Sequence, residues 1–290
     1  MEYNILLEYF GFNVRVFSGN KHIINRIQYI FRYFISKDLN RKEDITFRAN
    51  SLNSLSDIEL ISSSEKFDIS YSYDREKFFP WKFSDTFLPP MRITPFNNKY
   101  LVLHGCAARR DGKTYAFLAP SMAGKTSLLF YLLDKGFYAI SDDLLFIDIR
   151  TGYLYPYKKP VGVREGSLNV IPHLDEFVRN TISDETMIFY NNEGKKTWLM
   201  HLDDLFDRNV YYEKETKIDY FIMPNKMNEG DIEKLKPYNA FEYLTKALCN
   251  SGLEEETVNT QVINILAETE SFYLPTLNLE EAYLNINKIK

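Results

Sequence analysis

The sequence predicts a mixed α/β fold, and three observations carry that prediction. An apolar strand, a short loop and an apolar helix follow one another through TYAFLA, PSMAGKT and SLLFYLLDKG. A second apolar strand, FYAIS, comes directly after that helix and closes on Asp142-Asp143. Strand patterns also precede a helix near the N-terminus, so the two periodicities alternate through both parts of the chain.

Taken in order, residues 3–9 and 12–17 read as two short strands turning at Gly11. Over 23–35, Ile23, Ile27, Ile30 and Phe34 recur at helical spacing, which completes a β-β-α start. Strand-like runs follow near 44–49, 57–62 and 66–72. The stretch FFPWKFSDTFLPPMRITP (78–95) is rich in Pro and aromatics and reads as a connector. Trp81 and its neighbours there are weighed as an apolar patch for a partner or as a buried domain interface. The boundary therefore falls near 95, with an N-terminal α/β region at 1–95 and a second domain at 96–290.

In the second domain LVLHGCAA (101–108) is a strand, Asp111-Gly112 is a hairpin turn, and TYAFLA (114–119) is the returning strand. The helix after the loop stops at Gly136, where a glycine can take the left-handed conformation. LLFIDI (144–149) continues past the aspartates. Tyr153, Tyr155 and Tyr157 alternate as one face of a strand. TWLMHL (197–202) and IDYFIMP (218–224) read as strands, and 237–250, 256–269 and 278–289 as helices.

Composition excludes several classes. The chain has 290 residues, 45% hydrophobic and 26% charged, and its 21 Tyr and 22 Phe supply a core that needs no staples. A net charge of −5 argues against nucleic acid as a partner. Cys106 and Cys249 are the only cysteines, which excludes a disulfide framework and a multi-Cys zinc site. A reducing, cytoplasmic location is the expectation. The start MEYNILLEYF lacks the marks of a signal peptide, and no uncharged apolar run reaches the roughly 20 residues of a membrane span, so no membrane partner is expected. His22, His173 and His201 have no metal-ligand spacing; His201 is expected in a surface polar contact. Lys195-Lys196, after Asn191-Asn192-Glu193-Gly194, reads as a plain loop.

The chemistry concentrates in APSMAGKTSL. The phosphate-loop pattern, Walker A, is G-x-x-x-x-G-K-[ST] between a strand and a helix. Ala119 stands at the first glycine and the rest fits. Backbone N–H groups of such a loop point at phosphate oxygens, and the helix behind it adds its N-terminal dipole. Pro120, Ser121, Met122, Ala123, Gly124, Lys125, Thr126 and Ser127 are the candidate nucleotide-binding residues. Lys125 reaches the β- and γ-phosphates, and Thr126 offers its hydroxyl to Mg²⁺. An alanine at 119 is strained by roughly 1 kcal/mol if the position requires φ > 0, and harmless if it simply ends the strand. Asp142 and Asp143 follow on the next strand, where one carboxylate can serve the metal and the other act as a base.

These residues resemble the HPr kinase/phosphorylase family, and more closely its short relatives that act as peptide-tailoring kinases. The resemblance lies in Leu103-His104-Gly105, the hairpin, Gly124-Lys125-Thr126, Gly136 and Asp142-Asp143, in order and spacing across 101–149. It implies a mixed-sheet P-loop kinase domain of HPr kinase/phosphoenolpyruvate carboxykinase type. It also implies roles: Lys125 binds phosphate, Thr126 and Asp142 attend the metal, Asp143 accepts the proton of the acceptor hydroxyl, and His104 lies near the phosphates. A downstream arginine of the family has Arg164 as its candidate. The E-I-R-G-L-G signature of the full enzymes is missing; VGVREGSLNV (161–170) is its nearest counterpart, which gives no basis for expecting phosphorylase activity. The implied function is an ATP- and Mg²⁺-dependent kinase acting on a hydroxyl, serine first, of a peptide or protein. A small-molecule hydroxyl kinase and a non-catalytic ATP-binding regulatory module stand as alternatives, and a homo-oligomer stays open.

Overall fold

The computed structural model describes residues 2–9, 11–49, 58–63, 99–120, 123–168, 176, 178, 188–190, 196–206, 208–224, 230–249, 254–276 and 278–289. The strand expected at 66–72, the connector with Trp81, His173, Lys195, Ser121 and Met122 lie outside the described residues. Two compact units make up the chain. One comprises Met1–Phe96 with Ser183–Thr197, the other Asn97–Ile182 with Trp198–Lys290.

In the first unit, β1 (Tyr3–Tyr9) and β2 (Phe12–Ser18) form an antiparallel hairpin through Gly11, which sits at φ +84. Helix α1 (Lys21–Ile30) is capped by the Asn20 side chain and buries Ile23, Ile24, Ile27 and Ile30. It is shorter than the periodicity suggested. Arg32–Phe34 turn as a 3₁₀ segment, and Phe34 is only half-buried. The chain crosses to β3 (Ile45–Ala49), parallel to β2, and β4 (Ile58–Ser63) pairs antiparallel with β3. The short strand β11 (Ile188–Tyr190) belongs to this unit's second segment.

The second unit is organised by β5 (Tyr100–Arg110), an 11-residue strand. It pairs antiparallel with β6 (Lys113–Leu118) through the expected hairpin, in which Asp111 (φ 50) and Gly112 (φ 79) both take left-handed backbone. That pair of positive φ values is a type I′ turn, whose twist matches the strands. On its other edge β5 meets two partners: β8 (Leu144–Asp148) along Tyr100–His104 and β7 (Tyr138–Ser141) along Ala107–Arg109. Beyond β6 lie β13 (Tyr220–Pro224) and β15 (Glu270–Leu274), both parallel, then β14 (Glu233–Lys234). Beyond β8 lies β9 (Leu154–Tyr155), which completes an eight-stranded mixed sheet.

Helix α2 (Lys125–Asp134) follows β6, and α5 (Pro237–Lys246), α6 (Glu255–Glu268) and α7 (Leu279–Ile286) come later. The short pieces β10 (Val161–Arg164), α3 (Glu165–Leu168), β12 (Lys196–Met200) and α4 (Leu202–Leu205) lie outside this sheet. Strand alternation sorts β5. Leu101, Leu103 and Ala107 join a core with Ala240 and Leu244 of α5 and Val258 and Val262 of α6. His104 and Cys106 instead meet α2.

Three sequence expectations change here. Tyr153, Tyr155 and Tyr157 do not share one strand face, because β9 ends at Tyr155 and Tyr157 bridges to Ser141 of β7. Tyr157 is buried edge-on against Phe146, and Tyr155 packs against Tyr100. His201 is fully buried rather than at the surface. The strand read through 197–202 ends at Met200, since Leu202 opens α4.

Candidate active site

The loop between β6 and α2 starts where β6 leaves β5. Ladder pairing ends at Gly105↔Leu118. The freed edge of β5 is taken by the segment after α5: His104 N–H donates to Ala247 O at 2.7 Å and Cys249 N–H to Val102 O at 2.9 Å. Gly105 is forced by packing, because a Cβ there would come within 2.7 Å of Phe117 O and 2.8 Å of Leu118 Cδ2.

Ala119 is buried at the end of β6. Asp111 and Asp143 are the only non-glycine residues at positive φ among the described residues, so Ala119 has ordinary backbone and no strain. Gly124 takes the left-handed turn instead, at φ 86, as the residue before α2. Among the described residues nothing lies within 4 Å of where its Cβ would be. The helix ladder begins with Leu128 N–H to Gly124 O. The N–H groups of Lys125, Thr126 and Ser127 therefore precede the intrahelical bonds and are the natural anion donors. At its other end α2 closes in a Schellman motif, with Phe137 N–H to Leu132 O, Gly136 N–H to Leu133 O and Gly136 at φ 87.

Lys125 is buried, and all three of its donors are occupied. Its Nζ donates to Ala119 O at 2.7 Å, Pro120 O at 2.9 Å and His104 Nε2 at 2.9 Å. Burial lowers its pKa, against the pull of Cys106, Asp143 and Asp142. Burial also lowers the pKa of His104, with Lys125 and Lys159 adding to that effect and Asp143 opposing it. A neutral His104 that accepts at Nε2 carries its proton on Nδ1, which faces Asp143 Oδ1 at 3.5 Å. The buried Cys106 thiol, pushed up chiefly by burial and then by Asp142, donates to Lys125 O at 3.7 Å.

The two aspartates sit in the turn between β7 and β8, not on a strand. Leu144 N–H donates to Asp142 O at 2.9 Å across Asp143, whose φ is 71. A bond spanning two residues over a positive-φ centre is a γ-turn of the rare, strained kind. Gly105 N–H braces it by donating to Asp143 O at 3.2 Å, and the Ser141 hydroxyl donates to Leu144 O. The turn sends the carboxylates to different partners. Asp142 is buried and accepts from Thr126 Oγ1 at 3.2 and 3.3 Å. Burial, reinforced by Asp143, pushes its pKa to about 6. Burial pushes Asp143 up as well, but its cationic surroundings, Lys159 foremost, outweigh it and hold that carboxylate at about 2.

Lys159 has no counterpart in the sequence reading. It is buried, with Nζ 3.0 Å from Asp143 Oδ2. Its position follows from register: Ser141 bridges Tyr157 in parallel, and two residues further along both chains stand Asp143 and Lys159. The only sequence signal is a KKP triplet, indistinguishable from a solvated turn. Arg164 ends β10 at an exposed position.

No group of three or more His, Cys, Asp or Glu suited to a metal occurs among the described residues. Mg²⁺ does not require one, because it keeps waters and takes one or two carboxylates with substrate phosphates. Asp142 and Thr126 fit that need. Asp142 is a buried acid that accepts from the Thr126 hydroxyl, and its burial leaves an electrostatic deficit that a cation would offset.

No family model matches the chain, and no curated protein matches it. Among solved structures, the Hpr(Ser) kinase/phosphatase from Coxiella burnetii aligns with a TM-score of 0.32 and 11% identity, over 65% of this chain and 90% of that one. Similarity at that level carries no functional weight beside the geometry. No helix among the described residues is long and apolar enough to cross a membrane.

Proposed function

We propose that the chain is a nucleotide- and Mg²⁺-dependent phosphotransferase that phosphorylates a hydroxyl, serine first, of a peptide or protein. One observation carries the reading: adjacent carboxylates beside a phosphate loop are divided between two environments. Asp142 lies against the loop threonine, and Asp143 lies between a neutral histidine and a lysine. Bound MgATP would supply the phosphoryl group and the metal's charge. Lys125 is placed to exchange its loop carbonyls for phosphate oxygens, and the N-terminus of α2 to hold them. Phosphoryl transfer asks the protein mainly for positioning and charge neutralisation. The acceptor oxygen bonds to phosphorus as the bond from phosphorus to the nucleotide breaks, and the acceptor's proton passes to Asp143. A carboxylate held at about 2 is ionised at neutral pH and ready to orient that hydroxyl.

A ribosomally made peptide as acceptor is the finer form of this proposal and rests on the sequence resemblance. The test is purified chain with MgATP and a panel of serine peptides, small proteins, free serine and simple alcohols, read by mass spectrometry. A phosphate on a peptide or protein hydroxyl is expected, with Lys125→Ala and Asp143→Asn each slowing transfer at least about 100-fold. Transfer to free serine or alcohols alone would replace it with a small-molecule kinase. ATP binding with only trace hydrolysis would replace it with a regulatory module. Undiminished transfer in Lys125→Ala would remove the loop from the chemistry.

A further inference from the structure

We infer that Lys159 is a positioning residue for phosphoryl transfer, fixing the Asp143 carboxylate in one orientation beside the phosphate loop; the inference rests on the phosphotransferase reading above. A lysine is seldom buried, and burying its ammonium is unfavourable unless a partner compensates it. Here the compensation comes from Asp143 Oδ2 at 3.0 Å. Stability alone does not account for the pair, since Lys159 is buried but the Asp143 side chain is 39% exposed, and an ion pair open to solvent on one side stabilises little. The geometry gives each Asp143 oxygen its own neighbour: Oδ2 faces Lys159 and Oδ1 faces His104 Nδ1. Rotation about the carboxylate is thereby restricted, on a backbone already set by the γ-turn. The preceding lysine makes the contrast. Lys158 points elsewhere, to Glu213 at 2.5 Å and over the Tyr211 ring. Alternation along an extended segment explains why one lysine of the pair reaches the turn, and the parallel register with β7 explains which.

The test is a cycle of Lys159→Met, Asp143→Asn and the double variant, with Lys159→Arg as rescue and Lys158→Met as control. Three quantities are read: affinity for a fluorescent ATP analogue, the rate at which γ-³²P is lost from MgATP, and the melting temperature of the metal- and nucleotide-free chain. Lys159→Met is expected to slow phosphoryl loss at least about 100-fold while analogue affinity stays within about threefold. The double variant should be no slower than the slower single, because both changes disable one unit. Lys159→Arg should recover to within about tenfold of wild type, and Lys158→Met should match wild type. Melting should fall in Lys159→Met, which strands a carboxylate, and recover in the double variant, which has no charge left to pair. Wild-type rates in Lys159→Met, multiplied losses in the double variant, or melting shifts that simply add would each overturn the assignment. If Lys159→Met fails to fold, Lys159→Arg and the double variant still decide it. A wild-type chain that binds ATP without consuming it would sink the phosphotransferase reading separately. The melting cycle would then still show whether Lys159 holds Asp143.

Discussion

At the scale of single residues, the informative contrast is between Asp142 and Asp143, neighbours whose pKa values move in opposite directions. Asp142 rises to about 6 from an ordinary 3.8, so the folded metal-free chain holds this proton more tightly than the unfolded chain. Stability from that proton is complete below pH 3.8 and is lost as pH rises through about 6. A shift of this size corresponds to about 3 kcal/mol. Asp142→Asn, which keeps a neutral group there, should therefore be more stable than wild type by up to that amount at pH 7.5 in EDTA. The difference should shrink toward zero near pH 4, as measured by denaturant unfolding. Asp143 has the opposite sign: its stabilisation is present above pH 3.8 and disappears as pH falls through about 2. A second residue-scale expectation concerns Gly105. A methyl group there meets a backbone carbonyl, which cannot swing away as a side chain can. Gly105→Ala should cost about 2 kcal/mol or more in the same assay.

At the scale of elements, the strand–loop–helix unit was legible in the sequence because each part carries its own signal. Asp111-Gly112 announced the turn, apolar runs the strands, and Gly136 the helix stop. The Ala119 question was not legible, since it depended on a backbone angle; the left-handed turn falls at Gly124 instead. Gly124→Ala should therefore act through conformation rather than crowding, costing about 1–2 kcal/mol at φ 86, since no described residue lies within 4 Å of the added methyl. Affinity for a fluorescent ATP analogue should fall at least about tenfold, more than the modest change in melting temperature would suggest. Period-based reading failed where an element was short. Three tyrosines two apart mimicked one strand, and the helix at 23–35 hid a 3₁₀ turn after Ile30. Lys159 escaped because pairing with a distant strand, not local pattern, brings it to Asp143.

At the scale of the whole molecule, the net charge of −5 carries an expectation of its own. Binding to mixed-sequence DNA or RNA should be undetectable by electrophoretic mobility shift at micromolar chain and 0.15 M salt, because phosphate neutralisation needs clustered cations. The mixed α/β class was readable from the order of strand and helix patterns in the sequence, whereas the role of the C-terminal third was not. Residues 247–249 were read as the end of a helix over 237–250, and nothing in ALC hints that it continues a sheet begun more than a hundred residues earlier. Ala247 and Cys249 nevertheless bond to β5 at His104 and Val102, where β6 departs toward the loop before α2. This gives the site a practical indivisibility. A fragment trimmed to the recognisable motif, 97–168, would keep every residue assigned to phosphate, metal and base. It would also leave the His104 amide and the Val102 carbonyl bare on an open strand, a template for self-association rather than a working miniature. Shortening or grafting this site onto another scaffold thus requires the distant segment to travel with it.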